Sequence, residues 1–114
     1  MPRRAVSALA IAVTGRDRFS GMPNVPAVIE SGVVPGYDVT TWYGFFGPRG
    51  MPPAIVAKLN KTIVDIIAEP EVRERLIKAG VVVKGSTPEA FGKFMSDELT
   101  KWDTVRQKAG IEQK

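Results

Sequence analysis

The side chains able to do chemistry are few in kind. None of the 114 residues is Cys or His. That removes the thiolate nucleophile, the commonest general base and the commonest metal ligand. Cys–His zinc sites and Ser–His–Asp or Cys–His hydrolases are excluded with them. What remains is carboxylate, Lys, Tyr, Ser and Thr chemistry. Carboxylate pairs occur at Asp97-Glu98 and at Glu69 with Glu71. Both sets sit on helical stretches among basic residues, where a solvated face outweighs an acid/base dyad. Gly44-Phe-Phe-Gly47 has neither the Lys-Ser/Thr pair nor the glycine spacing of a phosphate loop. No GxGxxG motif follows a strand, and no acid-rich calcium loop is present.

The charge balance is +4, from 16 Lys and Arg against 12 Asp and Glu. Most of the excess lies at the start, where Arg3, Arg4, Arg16 and Arg18 face only Asp17. The helical stretches are balanced, and no basic cluster is interleaved with aromatic residues, which argues against nucleic-acid binding. Hydrophobic residues at 44% and charged residues at 25% describe a chain too apolar for disorder. No apolar run approaches the roughly 20 residues that span a bilayer.

The elements that must position these groups can be read from punctuation and period. Ala5-Val-Ser-Ala-Leu-Ala-Ile-Ala-Val13 follows Met1-Pro-Arg-Arg4. It reads either as a short signal peptide with small-residue steps such as Ala8-Leu-Ala10 or as a buried strand over 5–14 ending at Thr14-Gly15. The strand reading is favoured. Residues 19–36 are broken by glycines and prolines, with a short helix at Ala27–Ser31 stopped by Gly32.

Tyr37-Asp-Val-Thr-Thr-Trp-Tyr-Gly-Phe-Phe46 is rich in aromatic and β-branched residues and bounded by Pro-Gly and Gly-Pro, the pattern of a strand. Its rings either pack a core or line a ligand cleft. Pro52-Pro53 opens a first helix with Ile55, Val56, Leu59, Ile63, Ile66 and Ile67 at helical spacing. Pro70 ends it and opens a second helix that Gly80 stops. Val81-Val-Val83 reads as a short strand. Thr87-Pro88-Glu89 starts a third helix, with a stripe of Phe91, Phe94, Met95, Leu99, Trp102 and Val105 that ends at Gly110. The stripe implies that Leu99 is buried. The fold class is α/β, with few strands and three main helices, and two or three strands make a thin sheet.

Seven stretches then fall in one collinear series. They are Leu9–Gly15, Met22–Gly32, Pro35–Pro48, Pro53–Asn60, Glu69–Leu76, Gly85–Phe91 and Glu98–Trp102 followed by Ala109-Gly-Ile111. The series resembles the C-terminal part of the Bug-type extracytoplasmic solute receptors of tripartite tricarboxylate transporters. The resemblance implies a partial lobe of the type II periplasmic-binding-protein fold. Residues 1–36 would be the remnant of a second lobe, 37–48 the crossover strand, and 49–114 the C-terminal part of the first lobe. It also implies a binding protein and not an enzyme, a periplasmic location, no cofactor and no metal. The partners would be a small carboxylate solute and membrane permease subunits.

By the same resemblance, Thr14 and the Thr41-Trp42-Tyr43 stretch lie nearest the cleft. The hydroxyls would donate to a carboxylate and a ring would wall the site. The family's N-terminal half has no counterpart in this sequence, so solute binding by this chain is expected to be weak or absent. Exposed strand edges are expected to make it a homo-oligomer. Two alternatives stand beside this reading: a stand-alone protein-interaction module on the same scaffold, and a small anion- or nucleic-acid-binding protein using the basic N-terminus.

Overall fold

Proline and glycine set the helix boundaries. The computed structural model describes residues 7–113. Its helices are α1, Pro53–Ala68, α2, Pro70–Lys78, and α3, Pro88–Lys108. Pro53 and Pro88 each occupy the first helical position, where a missing N–H costs nothing. The Thr87 hydroxyl accepts from the Ala90 N–H at 3.1 Å, capping α3. Both α2 and α3 close with the same motif. Gly80 (φ 85°) follows α2, with its N–H on the Ile77 carbonyl and the Val81 N–H on Leu76. Gly110 (φ 68°) follows α3, with its N–H on Gln107 and the Ile111 N–H on Arg106. Only glycine takes that left-handed conformation without steric cost, so these two positions end their helices.

The chain divides into two units. One holds the residues up to 46 together with 74–82, and the other holds 47–73 and 83 onward. In the first, Val13 makes an isolated parallel bridge to Ala27. The Val13 N–H donates to the Pro26 carbonyl and the Val28 N–H donates to the Val13 carbonyl, both at 2.9 Å. On its other side the Val39 N–H donates to the Thr14 carbonyl at 2.9 Å. Val13-Thr14 is thus the middle rung between two other segments. Ala27, next to this rung, is 2% exposed and is the one buried apolar residue among those described. The short helix expected over 27–31 is a 3₁₀ turn at Val28–Ser31, and Gly32 (φ 70°) ends it.

In the second unit α1 packs on α3. The 83–86 loop is tied to α1 by the Asn60 side-chain amide, which donates to the Ser86 carbonyl at 2.8 Å. At Gly85 a Cβ would stand 3.2 Å from a Val64 methyl, so a bare backbone suits the approach to α1. The Phe91 and Phe94 rings stack at 6.4 Å on the first turns of α3.

Three expectations change. No strand ladder forms over 7–14, 37–46 or 81–83 among the described residues; the pairing is confined to the single bridge and the Val39–Thr14 bond. Residues 5 and 6 of the first expected strand, with Arg3 and Arg4, lie outside the described residues. A strand is stabilised by its neighbours, and the bond described between 7–14 and 37–46 is the one from Val39 to Thr14. Second, of the two readings of the aromatic run, core packing is not met at Tyr43 and Phe45, which are 86% and 80% exposed, while Tyr37 is half-buried. Third, Leu99 is 69% exposed and not buried. The half-buried residues of α3 include Phe91, Met95, Glu98, Lys101 and Arg106. Leu99 follows Glu98 and therefore projects about 100° round the helix from it, at the margin of the stripe.

Candidate functional site

Thr14 and Thr41-Trp42-Tyr43 all fall in the first unit. The Val39–Thr14 bond holds their two segments side by side, and the Gly15 backbone approaches the Thr40 side chain closely enough that a Cβ would lie 3.2 Å from its methyl. Thr14 is therefore positioned by backbone pairing, while Thr41 to Tyr43 continue past the paired rung with exposed side chains. Thr14, Thr41 and Tyr43 are all exposed, and Thr14 and Thr41 lie on adjoining segments, with hydroxyls able to donate hydrogen bonds to an anion. This surface holds no acid/base dyad. Asp97 is ion-paired to Lys93 and Glu98 to Lys101, one turn along α3 in each case. Glu98 also accepts from the Trp102 indole N–H at 3.0 Å, and only 15% of its side chain is exposed. It is therefore more covered than a solvated face requires. No group of three or more acidic, His or Cys residues among those described could hold a metal ion, and no helix is long and apolar enough to cross a membrane.

Two features of this unit were not legible in the sequence. The first is a clamp across the loop before the 3₁₀ turn. The Arg18 guanidinium donates to both oxygens of Glu30, from Nε at 2.9 and 3.2 Å and from Nη2 at 2.7 Å, and to the Pro23 carbonyl at 3.2 Å. Glu30 also accepts from the Ala27 N–H at 2.7 Å. The guanidinium, and then the backbone N–H, hold the Glu30 carboxyl at a pKa of about 2, and Arg18 is raised in turn. The partners stand 12 residues apart, a spacing with no local signal. The clamp fixes the loop that leads to Ala27 and so supports the rung on which Thr14 lies. The second is a groove of about 420 Å³ lined by Phe19, Met22, Ile77, Lys78 and Gly80, apolar except for the lysine.

Comparison with known proteins places the chain in context. Residues 4–111 match the tripartite tricarboxylate transporter family receptor, TctC. The chain is 38% identical over 96 residues to a UPF0065 protein from the tcbD-tcbE intergenic region of Pseudomonas sp. strain P51, covering 84% of this chain and 29% of that protein. It is 29% identical over 105 residues to BugT of Bordetella pertussis, covering 92% of this chain and 32% of BugT. It superposes on the periplasmic binding protein BugD with a TM-score of 0.73 at 32% identity, covering 90% of this chain and 35% of BugD. The chain thus spans between 29% and 55% of the length of the curated relatives it matches.

Proposed function

The chain belongs to the tripartite tricarboxylate transporter receptor family, and on that premise we propose that it supplies one wall of a periplasmic cleft for small carboxylated solutes. It acts by binding and not by catalysis, and the solute passes on to membrane permease subunits. In this reading it corresponds to the C-terminal part of such a receptor, with 37–48 crossing between lobes and 49–114 belonging to one lobe. Capture of this kind closes two walls round an anion, held by backbone N–H groups, hydroxyls and ordered water. The observation that supports it best is the Val39 N–H bond to the Thr14 carbonyl, which sets the Thr14 and Thr41 hydroxyls on adjoining segments. Thr14 and Thr41 donate to the carboxylate, and Trp42 and Tyr43 wall the site. One wall surrounds a ligand incompletely, so this chain alone binds solute weakly or not at all. It also self-associates.

The test is nuclear magnetic resonance titration with citrate, succinate, glutamate and aspartate, alongside calorimetry. Amide shifts confined to 13–15 and 39–43 at millimolar solute, with a dissociation constant weaker than about 1 mM, are expected. Shifts confined to other residues would refute the assignment of these residues. Tight one-to-one binding would refute the single-wall reading.

A further inference from the structure

We infer that Ile55, Leu59 and Ile66 of α1 form the surface on which the part of a family receptor that this chain does not match packs. The inference deepens the one-wall reading above by naming what completes it, and rests on it. α1 has three faces, because successive helical residues turn by about 100°. Val56, Asn60, Ile63, Val64 and Ile67 share the first, and all five are half-buried. The 83–86 loop meets that face, through the Asn60 bond to Ser86 and the approach of Gly85 to Val64 and Ile67. Lys58, Lys61 and Asp65 share the second, where Lys61 pairs with Asp65. Ile55, Leu59 and Ile66 form the third, between the other two, and lie within about 40° of one another. They are 49%, 49% and 45% exposed.

A helix with one apolar stripe needs one neighbour, and a helix apolar on two sides needs two. α2 makes no such demand, since Glu71, Arg73, Glu74, Arg75 and Lys78 suit it to water. The size of a family receptor argues for the occupant of the third face. The chain superposes on BugD over 90% of its own length but covers 35% of BugD, so about two-thirds of such a receptor lies outside the match and packs against it in a compact lobe. A second copy fits the stripe less well. Three half-exposed side chains offer far less than the roughly 800 Å² per partner of a stable interface. A larger partner covers them as one patch of a wider contact. That partner meets the stripe with an uncharged, aliphatic layer, because the three side chains offer no hydrogen-bonding group to a polar one.

The test is a chimera in which the full chain replaces the matched part of BugD. In the chain alone, Leu59→Lys is expected to leave the thermal midpoint within about 2 °C of wild type, as a surface change does. In the chimera the same substitution buries an unpaired charge, and the midpoint is expected to fall by about 10 °C or more. Lys61→Gln, on the charged face, is expected to shift either protein by no more than about 2 °C. Thiol alkylation locates the contact independently, since the chain has no Cys of its own. Leu59→Cys is expected to react at a rate similar to Lys61→Cys in the chain alone, and at least tenfold more slowly than it in the chimera. A chimera that does not fold, or one in which Leu59→Lys costs no more than in the chain alone, would overturn the surface. Protection of Leu59→Cys in the chain alone would put a second copy on the stripe and overturn it as well. The solute titration stands or falls separately, on shifts at 13–15 and 39–43.

Discussion

Arg18 and Glu30 form a two-pronged ion pair, with Nε and Nη2 on both carboxylate oxygens at 2.7–3.2 Å, and the same carboxylate caps the Ala27 N–H at 2.7 Å. One carboxylate therefore serves a distant cation and a local backbone donor together. Ala27, whose N–H it receives, is also the residue bridged to Val13. The clamp thereby connects the outer loop to the rung that carries Thr14.

This pair should make stability depend on pH. Glu30 titrates at about 2 in the fold against an ordinary 4.5. Its folded pKa is depressed, so its contribution is complete above about 4.5 and is lost as pH falls toward 2. Both side chains are substantially exposed, and added salt should weaken the effect. Thermal melts of wild type and Glu30→Gln should converge as pH drops from 5 to 2. Curves that remain parallel through that range would show that the pair does not contribute.

Thr87→Ala should remove the α3 cap and cost about 1 kcal/mol, read by urea denaturation of the helical signal. Thr87→Ser should retain most of it, because the hydroxyl is what accepts from Ala90. Equal losses in both variants would mean that the hydroxyl is not the stabilising group.

Leu99→Ala should change stability by no more than about 0.5 kcal/mol, since its side chain is mostly in water. Met95→Ala, on the half-buried side of α3, should cost clearly more. Denaturant midpoints decide between them; a larger loss at Leu99 would contradict the packing described for α3.

Gly80→Ala should destabilise by about 1–2 kcal/mol, because φ of 85° is a conformation that a Cβ opposes. Space is not the obstacle, since nothing lies within 4 Å of the added Cβ. Thermal unfolding that matches wild type would indicate that the α2 terminus relaxes without penalty.

The helices were legible because their limits are local. Pro53, Pro70, Thr87-Pro88, Gly80 and Gly110 each act on the backbone within a few residues, and each boundary falls where those residues place it. The family was legible for a related reason: its motifs lie in order along the chain, and the match over residues 4–111 follows them. The strands were less so. A run such as 37–46 has the composition of a strand, but a ladder needs a second segment, and composition does not say whether one is present.

What the sequence determined by itself is the three helices, their caps and the family to which the chain belongs, because these depend on neighbours in the chain or on motifs in series. What only the tertiary structure decided is which apolar residues are covered. It left Leu99, Tyr43 and Phe45 in water while burying Ala27, and it joined Arg18 to Glu30 and Val39 to Thr14. Those outcomes depend on contacts between segments far apart in sequence. The periodicity of one segment records only which face could be buried, and the partner that meets it decides whether it is.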